Sequence, residues 1–260
     1  MIIDFHTHAF KDSVAERALP LLEAEADYKS VLDGKVGSLL RSMDEAGVDV
    51  SVVSSIATKV GQYEPILKWS DEVRSDRIIP FASIHPDDKF ATKHIDQIKR
   101  EGFKGIKLHP YYQEFELDEG RMDEIYAAIS ENDLVLLCHT GFDIAFDRVR
   151  CCDPARIRRV VDKFTDLKFV ASHFGSWEDW DEVDKWLIGR DIYIETSFSI
   201  RWMGVERARD FFSRHGSEYL MWGTDSPWGS QSEDMAEMRG VGTGIDEAYF
   251  GGNARRLLGI

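Results

Sequence analysis

Two histidines separated by one residue, His6 and His8, lie in the opening run Ile2-Ile3-Asp4-Phe5-His6-Thr7-His8. On a strand an i, i+2 pair points to one face, whereas on a helix the two side chains diverge by roughly 200°. An H-x-H pair at a strand end can therefore present two imidazoles to one point. Imidazole suits Zn, Fe, Mn or Co, and a usable site draws further ligands from elsewhere in the chain. Residues of the right type end other apolar runs. His139 closes Leu134 to His139, His173 closes Lys168 to His173, and Asp225 closes Tyr219 to Asp225. Lys107 lies inside the apolar segment Gly105 to His109. An ammonium is costly there unless it belongs to a site or an ion pair.

The elements that must position these residues follow from eight short runs rich in Val, Ile, Leu and Phe. The other four are Val48 to Ile56, Ile78 to His85, Ile192 to Ser197 and, at the start, Ile2 to His8. Near-continuous apolar runs suggest parallel strands buried on both faces. Helical patterns lie between them. In Val36 to Ala46, residues Val36, Leu39, Leu40 and Met43 share one face and Gly47 closes the helix. Met122 to Glu131 and Ala155 to Phe164 read similarly. Eightfold strand–helix alternation in 260 residues predicts an α/β fold, a (β/α)8 TIM barrel in one domain, 1–260. An open doubly wound sheet is disfavoured because no Gly-rich phosphate loop follows the first strand. His6, His8, His85, His109, His139 and His173 all fall near strand C-termini, the end where barrels carry their sites. Residues 9–33 form an extra segment after the first strand, with a helix over Ser13 to Glu25 broken at Pro20. It is either a lid over the mouth or a plain surface insertion.

Composition narrows the function. With 32 Lys and Arg against 47 Asp and Glu, the formal charge is −15. That argues against nonspecific binding to nucleic acid or an anionic membrane. The three cysteines, Cys138, Cys151 and Cys152, form no C-x-x-C pair. They read as reduced thiols of a cytoplasmic protein, with Cys151-Cys152 a packing feature at a helix start. No apolar stretch approaches the ~20 residues of a membrane helix, and the first residues lack the basic, apolar character of a signal peptide.

Taken together, these residues resemble the amidohydrolase superfamily of metal-dependent barrels. The shared pattern is H-x-H on strand one, Lys on strand four, His on strands five and six, and Asp on strand eight. The chain is most similar to the amidohydrolase-2 branch, which includes aminocarboxymuconate semialdehyde decarboxylase-like proteins. That likeness rests on Leu40-Arg41-Ser42-Met43-Asp44-Glu45-Ala46-Gly47-Val48-Asp49, Gly105-Ile106-Lys107-Leu108-His109-Pro110 and Gly252-Asn253-Ala254-Arg255-Arg256-Leu257-Leu258. The resemblance implies that His6, His8, His139 and Asp225 hold one divalent metal, with zinc expected and Mn, Fe or Co as alternatives. It implies that His173 acts on the substrate or binds a second ion. Lys107 then meets a substrate oxygen or, when carbamylated, bridges two metals; one metal and an uncarbamylated Lys107 are expected.

The chemistry implied is metal-assisted hydrolysis of an amide, lactone or ester of a small carboxylated or cyclic substrate. Asp225 would take a proton from the attacking water, and His173 would stabilise the oxyanion or protonate the leaving group. Nonoxidative decarboxylation, as in the same branch, is the alternative. A metal-dependent deoxyribonuclease shares H-x-H but carries Glu where this chain has Lys107. A noncatalytic barrel would require missing ligands, and none is missing. His109, Trp177, Arg201, Trp202 and Trp228 are candidate pocket residues, each with loop packing or a surface ion pair as the competing reading. His85, His94 and His215 read as structural. A small-molecule substrate is the expected partner, and a homodimer is compatible with the sequence.

Overall fold

Each of the eight apolar runs contains one strand of the computed structural model, which describes residues 1–242 and 245–260. The strands are β1 (Ile3–Thr7), β2 (Val50–Ser54), β3 (Ile78–Phe81), β4 (Gly105–Leu108), β5 (Val135–Cys138), β6 (Lys168–Ala171), β7 (Tyr193–Glu195) and β8 (Leu220–Met221). β1, β2 and β3 pair in parallel in one sheet, and β4 to β8 in another. Single parallel bridges join the sheets at both seams, Ala82 to Ile106 and Thr7 to Ser226. Backbone hydrogen bonds reinforce them, from Lys107 N to the Ala82 carbonyl at 2.8 Å and from Phe5 N to the Trp222 carbonyl at 3.0 Å. The ring of eight parallel strands is therefore closed, as a TIM barrel requires.

The helices that wrap the ring follow the same logic. They include α1 (Asp12–Ala26), α2 (Val36–Ala46), α3 (Tyr63–Val73), α4 (Ala91–Arg100), α5 (Asp123–Glu131), α6 (Pro154–Lys163), α7 (Trp180–Trp186), α8 (Ile200–Met203), α9 (Val205–Arg214), α10 (Gln231–Val241) and α11 (Asn253–Leu258). α2 spans the residues its spacing predicts, and Gly47 ends it in the left-handed region at φ 71°, its N–H donating to the Met43 carbonyl. Asp153 caps α6 by accepting from Ala155 N, with Pro154 opening the helix. Ile3, Phe5, Val52, Phe81, Leu137 and Val170 form a core with Leu257 and Leu258 of α11. Among the described residues no helix is long and apolar enough to cross a membrane. The three cysteines are free, with Cys151 Sγ 3.8 Å from Cys152 Sγ.

One expectation needs correction. α1 is not broken at Pro20 but runs through it. Pro20 lies on the exposed face. There water can satisfy the Glu16 carbonyl that loses its amide partner, which lowers the cost of an internal proline. The segment that carries α1 is tied at both ends: Phe10 N donates to the Gly34 carbonyl at 2.8 Å, and Val31 N to the Pro227 carbonyl at 2.8 Å.

The seam between β1 and β8 is pinned by Asp4, which is fully buried. Its Oδ1 accepts from Thr224 N at 3.0 Å and His6 N at 3.3 Å; its Oδ2 accepts from Thr224 Oγ1 at 2.6 Å and Gln231 Nε2 at 2.8 Å. Burial pushes this carboxyl up to about 7, against the four donors that favour its ionised form. Only a carboxylate offers acceptors to all four. Asp4→Asn would turn an amide N–H₂ toward donors, and urea denaturation is expected to show a loss of about 1–3 kcal/mol. Unchanged stability would mean that Asp4 does not hold the seam.

Candidate active site

The ring closure delivers four histidines, an aspartate and a lysine to one end of the barrel. His6 Nε2 and His8 Nε2 stand 3.1 Å apart. Asp225 Oδ1 lies 3.4 Å from the first and 3.2 Å from the second. Lys107 Nζ is 2.9 Å from His6 Nε2. Beside this trio, His139 Nδ1 faces His173 Nε2 at 3.0 Å, and the His6 and His173 ring centroids are 5.4 Å apart. The backbone is bent to make this convergence. His173 and Asp225 take left-handed conformations, φ 57° and 60°, two and four residues beyond the ends of β6 and β8. Such conformations are unfavourable for residues with a Cβ and cluster at functional sites.

The outer nitrogen of each ring fixes its tautomer. His6 Nδ1 contacts Glu195 Oε1 at 2.8 Å, and His8 Nδ1 the Ser54 carbonyl at 2.9 Å. His173 Nδ1 is 3.2 Å from the Ser197 carbonyl, and His139 Nε2 is 3.3 Å from the Phe142 carbonyl. These partners can only accept, so each outer nitrogen carries the ring proton. The inner nitrogens then present lone pairs, two facing at 3.1 Å and two at 3.0 Å. Burial holds His6 and His139 well below the usual histidine value; Lys107 adds to this at His6, and His109 at His139. A cation relieves inner lone pairs that face one another at 3.0–3.1 Å, so the donor set fits a divalent metal. Burial disfavours ionised Asp225, but His6, His8 and His173 outweigh it and hold its carboxyl down at about 2. Burial also lowers Lys107, opposed by Asp225 and Glu195.

Glu195, which ends β7, was not singled out in the sequence. It is fully buried and accepts from Ser197 N at 2.8 Å, Ser197 Oγ at 2.9 Å and His173 N at 3.1 Å as well as from His6. One carboxylate thus positions residues from β1, β6 and β7. Gly223 leaves it room, since a Cβ there would lie 2.5 Å from Glu195 Oε2. An acidic residue in an apolar strand was the available signal, the same one that marks Lys107. Asp143, four residues after His139, was also missed. Its Oδ2 lies 3.3 Å from His109 Nε2 and 3.7 Å from His139 Nε2.

Above the cluster opens a cavity of about 750 Å³. Trp177 and Trp228 line it, with Trp69, Phe142 and Phe198. α1 contributes Val14, Ala18, Leu21 and Leu22. Gly141 makes the wall near Trp177 feasible, because a Cβ at its φ of 94° would sit 2.0 Å from Trp177 N. His109 also lines the cavity, stacked on His139 at 4.0 Å. Arg201 and Trp202 do not line it, contrary to expectation. They lie on the short helix α8, whose buried residue is Ile200, and this turns them outward. Arg201 instead reaches the Tyr28 hydroxyl at 3.2 Å, and Trp202 packs edge-on against Trp177. The remaining histidines are structural: His85 Nδ1 accepts from Asp87 N, His94 bonds Asp88, and His215 bonds the Ile192 carbonyl.

The sequence model of the amidohydrolase family matches residues 3–260. No curated protein matches the chain at a significant level. Among solved structures, 2,6-dihydroxybenzoate decarboxylase from Rhizobium is 16% identical, with 99% of this chain and 98% of that one covered and a TM-score of 0.72. A 5-carboxyvanillate decarboxylase from Novosphingobium aromaticivorans with bound manganese is 15% identical over 100% and 97% of the two chains, with a TM-score of 0.70. A probable 2-pyrone-4,6-dicarboxylic acid hydrolase from Acinetobacter baumannii is 16% identical over 100% and 99%, with a TM-score of 0.67. At these identities the likeness is one of fold.

Glu195→Gln tests the support beneath the histidines. The amide is uncharged and would set an N–H₂ against one of the donors that Glu195 accepts, loosening the hold on His6, and chelator competition is expected to show metal affinity about 10–100-fold weaker. Wild-type affinity would remove Glu195 from the site.

Proposed function

The chain belongs to the amidohydrolase family, and from that premise we propose that it is a metal-dependent hydrolase opening an amide, lactone or ester of a small cyclic substrate. The observation that carries this is the placement of Asp225, whose Oδ1 lies 3.4 Å from His6 Nε2 and 3.2 Å from His8 Nε2 at the floor of an aromatic-walled cavity. Hydrolysis needs a base there. Decarboxylation would instead need a protonated group there to deliver a proton to the vacated carbon.

His6, His8 and Asp225 would hold one divalent ion, and the second facing pair, His139 and His173, supports a second rather than the single ion expected. Zinc or manganese bound there supplies Lewis acidity and makes a water ionisable near neutral pH. Asp225 accepts the proton of the attacking water and returns it to the leaving group. The Lys107 ammonium, close to the same point, favours the developing oxyanion. The aromatic walls orient a flat ring and keep bulk water out. α1, with Val14 and Leu21 over the cavity, serves as the lid of a single domain. The free thiols suit a reducing compartment, the cytoplasm.

Decarboxylation is the second reading. It is favoured by the names of the two decarboxylase neighbours and by aromatic walls that suit an aromatic acid. One experiment separates the two. The metal-replete chain is offered lactones, amides and aromatic acids in H₂¹⁸O while CO₂ is trapped. The hydrolase reading expects ¹⁸O in the organic product and no CO₂; release of CO₂ with an organic product free of ¹⁸O would establish the second reading in its place.

Metal titration with elemental analysis is expected to reach two ions per chain, and His173→Asn to reach one with kcat at least ~10²-fold lower. One ion in the wild type would leave the single set expected, His6, His8, His139 and Asp225, and return His173 to the substrate.

A further inference from the structure

The cavity floor has a second pole that the proposed reaction does not use. Asp143 lines the cavity on the far side of the His139 ring from the metal ligands. His139 turns Nδ1 toward His173 and Nε2 toward Asp143, so a single imidazole separates the two poles. Asp143 is fixed in place: its Oδ1 accepts from Ala145 N at 2.8 Å, and its Oδ2 faces His109 Nε2 at 3.3 Å. His109 is itself buried, and among the described residues its Nδ1 has no partner. An orphaned N–H is rarer than an orphaned acceptor, so the His109 proton belongs on Nε2, directed at Asp143. His109 is held between the His139 ring, 4.0 Å away and nearly parallel, and the edge-on Tyr112 ring at 4.8 Å.

A carboxylate oxygen has two lone-pair sites, and His109 occupies one on Oδ2. The other is left without a hydrogen bond, since His139 Nε2 stands 3.7 Å off and meets the Phe142 carbonyl instead, and Asp143 keeps 11% of its side chain exposed in a cavity that is otherwise mostly apolar. Among the described residues no arginine lines that cavity, and of its lysines, Lys11, Lys68 and Lys107, none forms an ion pair with Asp143, which faces only His109 and His139. A carboxylate brought to Asp143 would meet like charge with no cation paired to that oxygen. A hydroxyl or an amide N–H would find a preorganised acceptor.

Resting on the hydrolase reading above, we propose that Asp143, held by His109, is the specificity-determining acceptor of this site and selects ring substrates bearing a hydroxyl or N–H donor close to the scissile carbonyl. The donor must sit within about one ring of that carbonyl, since one imidazole spans the distance between the poles. A second carboxylate on the substrate is rejected there.

The test uses ligands that cannot be hydrolysed. Calorimetry on the metal-loaded chain compares 1-tetralone, its four monohydroxylated ring isomers and the matching ring carboxylic acids. At least one hydroxylated isomer is expected to bind wild type tenfold or more tightly than 1-tetralone, and the acid at that position at least tenfold more weakly. Asp143→Leu is expected to bring the hydroxyl preference below threefold. Should that variant not fold, Asp143→Asn decides through the acid, whose affinity is expected to rise about tenfold. No hydroxyl preference in wild type, a preference surviving in Asp143→Leu, or an unchanged acid affinity in Asp143→Asn would overturn the proposal. Lactone hydrolysis is assayed separately, so failure there counts against the proposed reaction and not against the binding preference.

Discussion

Two pairs of imidazole nitrogens face each other across about 3 Å with no proton between them. In each pair the outer nitrogens have committed their protons to Glu195, to Ser54, to Ser197 and to Phe142. The inner lone pairs therefore repel unless a cation lies between them. Most of the architecture at this end of the barrel makes sense as a means of holding that arrangement. The left-handed turns at His173 and Asp225, the glycine beside Glu195 and the Asp4 lock at the closing seam all keep groups from different strands on one point. Preorganisation of this kind costs stability locally and is repaid when the metal binds.

The same constraint shapes the chemistry above the cluster. The aromatic cavity lowers the local dielectric, which strengthens every charge interaction at its floor. An acidic chain of formal charge −15 has little general attraction for an anionic substrate. The metal ligands and Lys107 form one local pole, and Asp143 forms another of opposite sense. On the proposed reading a small ring carrying one carbonyl and one donor would match both, which narrows the substrate further than family membership does.

Much of this was legible in the sequence because it depended on strand ends. All eight strands fall inside apolar runs, and His6, His8, Lys107, His139, His173 and Asp225 converge because parallel strands end on the same rim. Glu195 was hidden because β7 is short and its run carries no histidine; a lone acid there gives no spacing to read. Asp143 was hidden because it lies in a loop, where direction depends on tertiary contacts. Arg201 and Trp202 misled for a related reason: following a strand does not fix which way a one-turn helix points its side chains. Pro20 misled because a proline on an exposed helix face costs less than one whose freed carbonyl is buried.

Anomalous diffraction from crystals grown with manganese tests most directly whether the facing imidazoles hold metal. A peak is expected at coordination distance from His6 Nε2, His8 Nε2 and Asp225 Oδ1. A fully active protein whose crystals show no peak among those three atoms would contradict it.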